Sequence, residues 1–312
     1  MRSMIAMDTV QIEITNHCVL SCANCTRFVP HVKKPFYMDF EFFKKAVDSM
    51  VGYPKMTGIQ GGEPLLHPQF EELCNYLHEK IPYEQCGLWT TLPKGFEHYK
   101  DVICRTFKHI FVNDHTRDDI YHHPPLVAIR EVETDKNLMW QAIDNCWAQM
   151  SWSASINPKG AFFCEIAASV AMLVDDKNRT FQGWPVVPGW WWRIPKDFAG
   201  QMESYCPQCG FPSQVARRVS TEKVDDISPE NFKWLKDKSK NPSRWTVHNL
   251  GKSECKEEMA KYKEFDYRNN IAKRFGMFLT VNDQRFWTPH LLKKDHPSYS
   301  TSVFSKYQER YK

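Results

Sequence analysis

The stretch TNHCVLSCANCTRF, residues 15–28, carries Cys18, Cys22 and Cys25 in the spacing C-x3-C-x2-C. A loop of that spacing can point three thiolates at one centre, and thiolates bind zinc ions and iron–sulfur clusters. Both guests want four ligands, so three cysteines leave a metal position for something else to fill. Some way along the chain comes Gly61-Gly62-Glu63-Pro64. Its glycine pair lets backbone approach a ligand closely, and Glu63 offers an acceptor for an ammonium group. A second set, Cys146, Cys164, Cys206 and Cys209, has enough thiols to saturate a cluster or a zinc ion unaided. Of the remainder, Cys74, Cys86 and Cys104 read as small buried hydrophobes. Cys255, in polar LGKSECKEE, stands alone as an incidental thiol on a helix surface or, since S–H bonds are weak, a hydrogen-atom donor.

Repeated strand and helix patterns position these residues. TVQIEIT (9–15) alternates, is rich in β-branched residues and runs straight into the first cysteine loop. FEFFKKAVDSMV (40–51) has helical spacing, KMTGIQ (55–60) reads as a strand ending at the glycine pair, and PQFEELCNYLHEKI (68–81) as an amphipathic helix. QCGLWTT (85–91), YKDVICRTF (99–107) and HIFVND (109–114) continue strand, helix, strand. PLVAIREV (125–132) predicts a fifth strand, followed by helical DKNLMWQAIDNC (135–146). Such alternation predicts α/β architecture, a parallel sheet or barrel with helices outside. Sites in these folds lie at the carboxyl ends of the strands, where Cys18, Gly61 and Thr91 all fall. After 146 the pattern changes: SWSASI-NPKG-AFFCEI (151–166) predicts a β-hairpin between Cys146 and Cys164. A Trp-rich run, FQGWPVVPGWWWRIPKDF, precedes CPQCG, and the chain beyond 220 is polar with helical stretches.

Composition narrows the class. With 312 residues, 42% of them hydrophobic, the chain can bury one large core, or a main domain and a smaller companion. A formal net charge of +4 argues for no acidic partner, and the basic residues near the end read as a solvated tail without a nucleic-acid signature. There is no signal-peptide pattern at the start and no apolar run of the roughly 18 residues that a membrane span needs. The expectation is a soluble cytoplasmic protein. In that compartment eleven cysteines read as metal or cluster ligands before disulfides.

C-x3-C-x2-C after a first strand with GGEP after a second resembles the radical S-adenosylmethionine (radical SAM) superfamily. The likeness covers about residues 9 to 145. It implies a partial (β/α)5–6 TIM-like barrel in which Cys18, Cys22 and Cys25 hold a [4Fe–4S] cluster, with the open iron chelated by S-adenosyl-L-methionine. Gly61, Gly62, Glu63 and Pro64 are then the SAM-binding motif, and Thr90 and Thr91 are plausible polar contacts. Asn24 departs from the pattern, since the residue before the third cysteine is often aromatic and stacks near the adenine. The hairpin bracketed by Cys146 and Cys164, with Cys206-x2-Cys209 after it, resembles the twitch domain, the shorter relative of the SPASM domain, which holds an auxiliary [4Fe–4S] cluster. Zinc is the alternative guest. The spacing is similar to that of the butirosin-type aminocyclitol dehydrogenases of this superfamily. The expected organisation is a barrel over 1–145, a twitch domain over 146–219 and a mostly helical extension over 220–312 that covers the barrel mouth.

The resemblance implies an enzyme that cleaves SAM reductively to a 5′-deoxyadenosyl radical. It takes hydrogen from a carbinol carbon of a sugar or cyclitol and dehydrogenates or epimerises it. A closed auxiliary cluster favours dehydrogenation, because it accepts an electron and has no iron to offer a substrate. A reductant such as flavodoxin or ferredoxin is implied as partner, with no nucleic acid and no membrane. Arg130 and Glu131, at the end of the fifth predicted strand, are candidates to orient a hydroxyl or take its proton, with a structural salt bridge as the alternative. The GWWWR block either packs a sugar face or seals the two domains. Two other readings stand beside this one. The first is radical modification of a ribosomally made peptide, disfavoured because the barrel begins at about residue 9 with no peptide-binding segment before it. The second is a non-enzymatic metal-binding module.

Overall fold

In the computed structural model the described residues are 1–113, 115–116, 120–151, 153–175, 182–213, 215, 217–248 and 278–280. The chain opens with β1 (Thr9–Thr15), α1 (Phe40–Met50), β2 (Met56–Gly61), α2 (Phe70–Lys80), β3 (Cys86–Thr90), α3 (Lys100–Thr106) and β4 (His109–Val112). A short β5 (Tyr121–His122) leads to α4 (Ile129–Val132), α5 (Lys136–Asp144) and α6 (Trp147–Ser151). Then come the hairpin β6 (Ser153–Asn157) and β7 (Gly160–Phe162), α7 (Glu165–Val174) and α8 (Ala199–Tyr205). Finally β8 (Arg218–Val219), β9 (Asp225–Ile227), α9 (Pro229–Leu235), β10 (Trp245–Val247) and β11 (Phe278–Thr280) follow.

One seven-stranded sheet, ordered β11-β4-β3-β2-β1-β6-β7, organises the molecule. The five central strands, β4 to β6 in that order, run parallel, while β11 and β7 pair antiparallel at the ends. The four strand positions and the hairpin read from the sequence are therefore present. The fifth expected strand is not. Pro124 and Pro125 cannot donate ladder hydrogen bonds, and the segment's backbone is engaged elsewhere: Leu126 bridges Ile227 and Ile129 begins α4. The place beside β1 is taken by β6, so the hairpin bracketed by Cys146 and Cys164 continues the same sheet. An apolar run such as PLVAI satisfies a buried helix as well as a strand, and periodicity alone does not separate them.

The two faces of β1 divide the labour. Val10, Ile12 and Ile14 join Ile59, Leu88 and Ile110 in an apolar layer packed on Phe43, Val47, Leu73, Leu77 and Ile103 from the helices. Asp39 fixes the start of α1 by accepting from the Phe42 amide at 2.9 Å, which turns that helix's apolar side inward. The opposite face of β1 carries Thr9, Gln11, Glu13 and Thr15, all buried and all polar. Buried polar groups need partners, and that face is where the site is built. No helix among the described residues is long and apolar enough to cross a membrane.

Candidate functional site

The loop after β1 is seamed to the end of β2. Gly62 donates its amide to the Thr15 carbonyl at 2.8 Å, and Glu63 to that of His17 at 2.7 Å. A Cβ on Gly61 would lie 2.3 Å from the Thr15 carbonyl oxygen, and one on Gly62 would lie 2.3 Å from that of His17 and 2.9 Å from Cβ of Cys18. The glycine pair thus admits the backbone of the cysteine loop itself, a closer neighbour than the ligand that the sequence brings to mind. Glu63 is fully buried and its carboxylate already accepts from Thr90 Oγ1 (2.6 Å), the Thr91 amide and hydroxyl (2.7 Å each) and the Leu65 amide (3.2 Å). Burial raises its pKa, and those donors pull the other way. It ties the ends of β2 and β3 together from behind the surface, with Pro64 buried beside it.

The other side of the loop is held by the chain's later part. Asn24 sits in the left-handed region (φ 48°), which asparagine tolerates better than most residues. It is buried, and it pairs with β9: its Nδ2 donates to Asp226 at 2.7 Å, its Oδ1 accepts from the Asp226 amide at 2.8 Å, and its own amide donates to Asp225. Arg244 pairs with Asp225 and donates to the carbonyls of Ser21 (2.8 Å) and Cys22 (2.9 Å). Asp226 is further held by Arg218 and His248. Burial pushes the Asp226 pKa up, but Arg218 and Asn24 outweigh it and hold the carboxyl below its ordinary 3.8. The segment after 220 therefore grips the cysteine loop through residues 225–244. Residues 249–277 and 281–312, and with them Cys255, lie outside the described residues.

A cavity of about 710 Å³ opens beside this loop. Cys18, Cys22, Cys25, Gly61, Gly62, Thr90 and Thr91 are part of its wall. Along the sheet the wall is Gln11, Gln60 and the stacked pair Trp89–Phe111 (centroids 4.4 Å apart). Arg27 and Glu165 lie on it too, joined at 2.8 Å. Arg27 also donates to Gln11 (2.9 Å), Gln60, Ser169 (2.9 Å) and the Glu165 carbonyl (3.1 Å). Burial alone would lower its pKa, but the carboxylates of Glu165 and Glu13 more than offset that and keep it charged. The wall also includes His122, whose Nδ1 lies 2.6 Å from the carbonyl of Ala23 in the cysteine loop. That contact requires a proton on Nδ1, so the other ring nitrogen accepts from His115 at 2.7 Å. Burial lowers the His122 pKa, which suits a neutral ring.

The thiols of both cysteine groups are close enough to feel one another. Burial pushes Cys18 up to about 12 and raises Cys22 further, with neighbouring thiols adding to each. In the second group burial raises Cys164 to about 12, and raises Cys206 and Cys209 as well, with the other thiols contributing. Such sulfurs are protonated until a metal replaces the proton. Backbone amides face them: Leu20 donates to Cys18 at 3.4 Å, Phe211 to Cys209 at 3.5 Å, and those of Ile166 and Ala167 face Cys164 at the start of α7. Amides aimed at sulfur and a helix N-terminus both favour thiolate over thiol. The donor sets therefore fit iron–sulfur groups, the first with three sulfurs on a cavity and the second with four sulfurs away from it. Among the described residues, no three His, Cys, Asp or Glu side chains are grouped so as to hold a single metal ion.

Of the other residues marked in the sequence, Arg130 pairs with Glu230, while Glu131 accepts from Ser228 and from the Glu230 amide at 3.0 Å. Neither lines the cavity. Trp190 and Trp191 are buried, Trp191 donating to the Ser49 carbonyl at 3.0 Å, so the Trp block closes the molecule against α1 and leaves the cavity wall to other residues. Arg27, Gln11, Gln60 and Glu165 were not marked. A lone carboxylate inside FFCEIAASVAMLV, and glutamine and glutamate alternating with isoleucine in a strand, are the signals that could have found them.

No family model matches this sequence, and no curated protein matches it. Among solved structures the chain is similar to BtrN in complex with AdoMet and 2-DOIA, with a TM-score of 0.44 and 15% identity over 65% of this chain and 92% of that one. Selenomethionyl BtrN in an open conformation gives a TM-score of 0.39 and 13% identity, over 65% and 87%.

Proposed function

We propose that this chain is a radical SAM enzyme with an auxiliary iron–sulfur site, acting on a carbinol carbon of a small polar molecule of the sugar or cyclitol class. The observation that carries the reading is the three-cysteine loop, seamed to Gly61-Gly62 and lining an open cavity on which, among the described residues, no other cysteine lies. On this reading residues 1–145 are a partial barrel, residues 146–219 a twitch unit and the later chain a clamp on the loop. When bound, a [4Fe–4S] cluster with SAM at Cys18, Cys22 and Cys25 supplies a 5′-deoxyadenosyl radical, and a second cluster at Cys146, Cys164, Cys206 and Cys209 supplies a one-electron sink.

The chain's own residues do the rest. Gly61, Gly62 and Thr91 line the cavity beside the cysteines and would hold the methionine end of SAM, with Glu63 and Thr90 setting the strand ends. Gln11, Gln60 and the paired Arg27 and Glu165 offer donors and acceptors to substrate hydroxyls, and the Trp89–Phe111 stack offers an apolar wall. Transfer of a hydrogen atom from the carbinol carbon to that radical, of one electron to the second cluster and of the hydroxyl proton to water in the open cavity would turn the carbinol into a carbonyl and balance the oxidation. A flavodoxin or ferredoxin fits as the source of the priming electron. The test is an anaerobic assay of iron-reconstituted protein with dithionite and SAM. The expected result is 5′-deoxyadenosine, abolished by Cys22→Ala; its absence from wild-type protein carrying full iron, with or without a panel of cyclitols, overturns the reading.

A further inference from the structure

Arg27 lies two residues after Cys25, and Glu165 directly follows Cys164, so one ion pair joins the residues beside the two cysteine groups. Its side chains are only 3% and 5% exposed. Arg27 grips the first turn of α7 through three points, the carbonyl and carboxylate of Glu165 and the hydroxyl of Ser169, and Cys164 caps that same turn. Glu165 accepts in addition from Ser153 on β6 at 2.8 Å. Arg27 Nε, buried, has no hydrogen-bond partner among the described residues. Burying two charges costs several kcal/mol per ion before their attraction is counted, and apolar residues often fill such space at no loss. A role beyond packing is therefore called for.

We infer that the Arg27–Glu165 pair couples the two cysteine groups, fixing the first loop against the start of α7 and keeping a balanced charge beside both. The inference rests on the proposed reading that both groups hold iron–sulfur clusters. The pair is a dipole with its positive end beside Cys25 and its negative end beside Cys164, set in a medium where Coulomb terms are much stronger than in water. Intact, it offers little net charge to either group. Losing either partner shifts the local charge by one unit, with Glu13 still beside Arg27, next to Cys25 at one end and Cys164 at the other. Arg27 and Glu165 are thus positioning residues for the two groups.

The sign of the effect gives the test. Full-length protein, reconstituted anaerobically without SAM, is titrated electrochemically while the EPR signals of its clusters are followed. Glu165→Gln leaves a positive charge, which favours the reduced clusters, so both midpoint potentials are expected to rise. Arg27→Gln leaves a negative charge, so both are expected to fall, and the double variant is expected to return toward wild type. Movement of only the adjacent group's signal, or of neither, overturns the coupling. Should the glutamine variants lose iron or fold poorly, Arg27→Lys and Glu165→Asp keep the charges. The coupling then predicts potentials near wild type, and a charge-conserving change that drives the two potentials in opposite directions contradicts it. Wild-type protein giving a single signal overturns the two-cluster reading, and the coupling with it; two wild-type signals with unmoved variants overturn the coupling alone.

Discussion

The first cysteine group is part-exposed on a cavity wall, whereas Cys146, Cys164 and Cys206 of the second are buried in the core beside Trp147 and Phe211. Their supports differ accordingly. The first loop is held by polar clamps from distant chain: the glycine seam to β2, and Asn24, Asp225, Asp226 and Arg244. The second is held by helix starts and apolar packing, with Cys164 capping α7 and His123 packed on both aromatic rings. A group that must keep a coordination position open cannot be buried by its guest, so rigidity has to come from the scaffold. A group whose ligands are all internal can be enclosed and left to packing.

Breaking each support in turn sharpens that contrast. The largest effect belongs to the open group: Cys22→Ala should lower bound iron from about eight to about four per chain and abolish 5′-deoxyadenosine, leaving the second group's EPR signal in place. Next is Gly62→Ala, whose new Cβ has backbone 2.3 Å away. Overpacking of this kind costs about 1–3 kcal/mol, and a lowered melting temperature with loss of the first group's iron is the expected readout. Gly200→Ala in α8, with nothing within 4 Å of its added Cβ, is the control and should be neutral or slightly stabilising. Asp226→Ala strands the buried Asn24 side-chain amide and leaves Arg218 with Glu222 alone, a loss of about 1–3 kcal/mol. Iron retention at the first group should fall while the second group keeps its own.

The last effect concerns pH and the second region. Burial holds His123 down at about 3, from an ordinary 6.5, with Arg217 and His122 adding to it. The folded state thus binds fewer protons than the unfolded one between those values. No cost arises above 6.5, and stability is lost as pH falls from 6.5 toward 3, at up to about 1.4 kcal/mol per unit for one proton. His123→Phe should flatten that part of the stability curve in urea titrations from pH 7 to 4. An unchanged slope would place the acid sensitivity elsewhere.

Much of this was legible in the residues, and the misses have physical causes. The alternation of TVQIEIT and the Asn-Pro-Lys-Gly turn identify β1 and the β6–β7 hairpin, because strand and turn preferences are local. PLVAIREV misled because an apolar run encodes burial without encoding conformation. The cysteine groups could be found because spacing within a loop is a local fact. Arg27 and Glu165 could not be paired, since 138 residues separate them and only the sheet order brings α7 beside the first loop. Asp225 and Asp226 sit in a polar stretch that reads as surface, yet both are buried against Asn24. The glycine pair was legible as a site of close approach; that the approaching backbone is the cysteine loop was not.

The measurement that bears most directly on the open and closed pair is EPR of the reduced, reconstituted protein before and after SAM is added. The account predicts two cluster signals, of which one changes on addition of SAM and disappears in Cys22→Ala, while the other is indifferent to both. Two signals that ignore SAM, or a SAM-sensitive signal that survives Cys22→Ala, would contradict it.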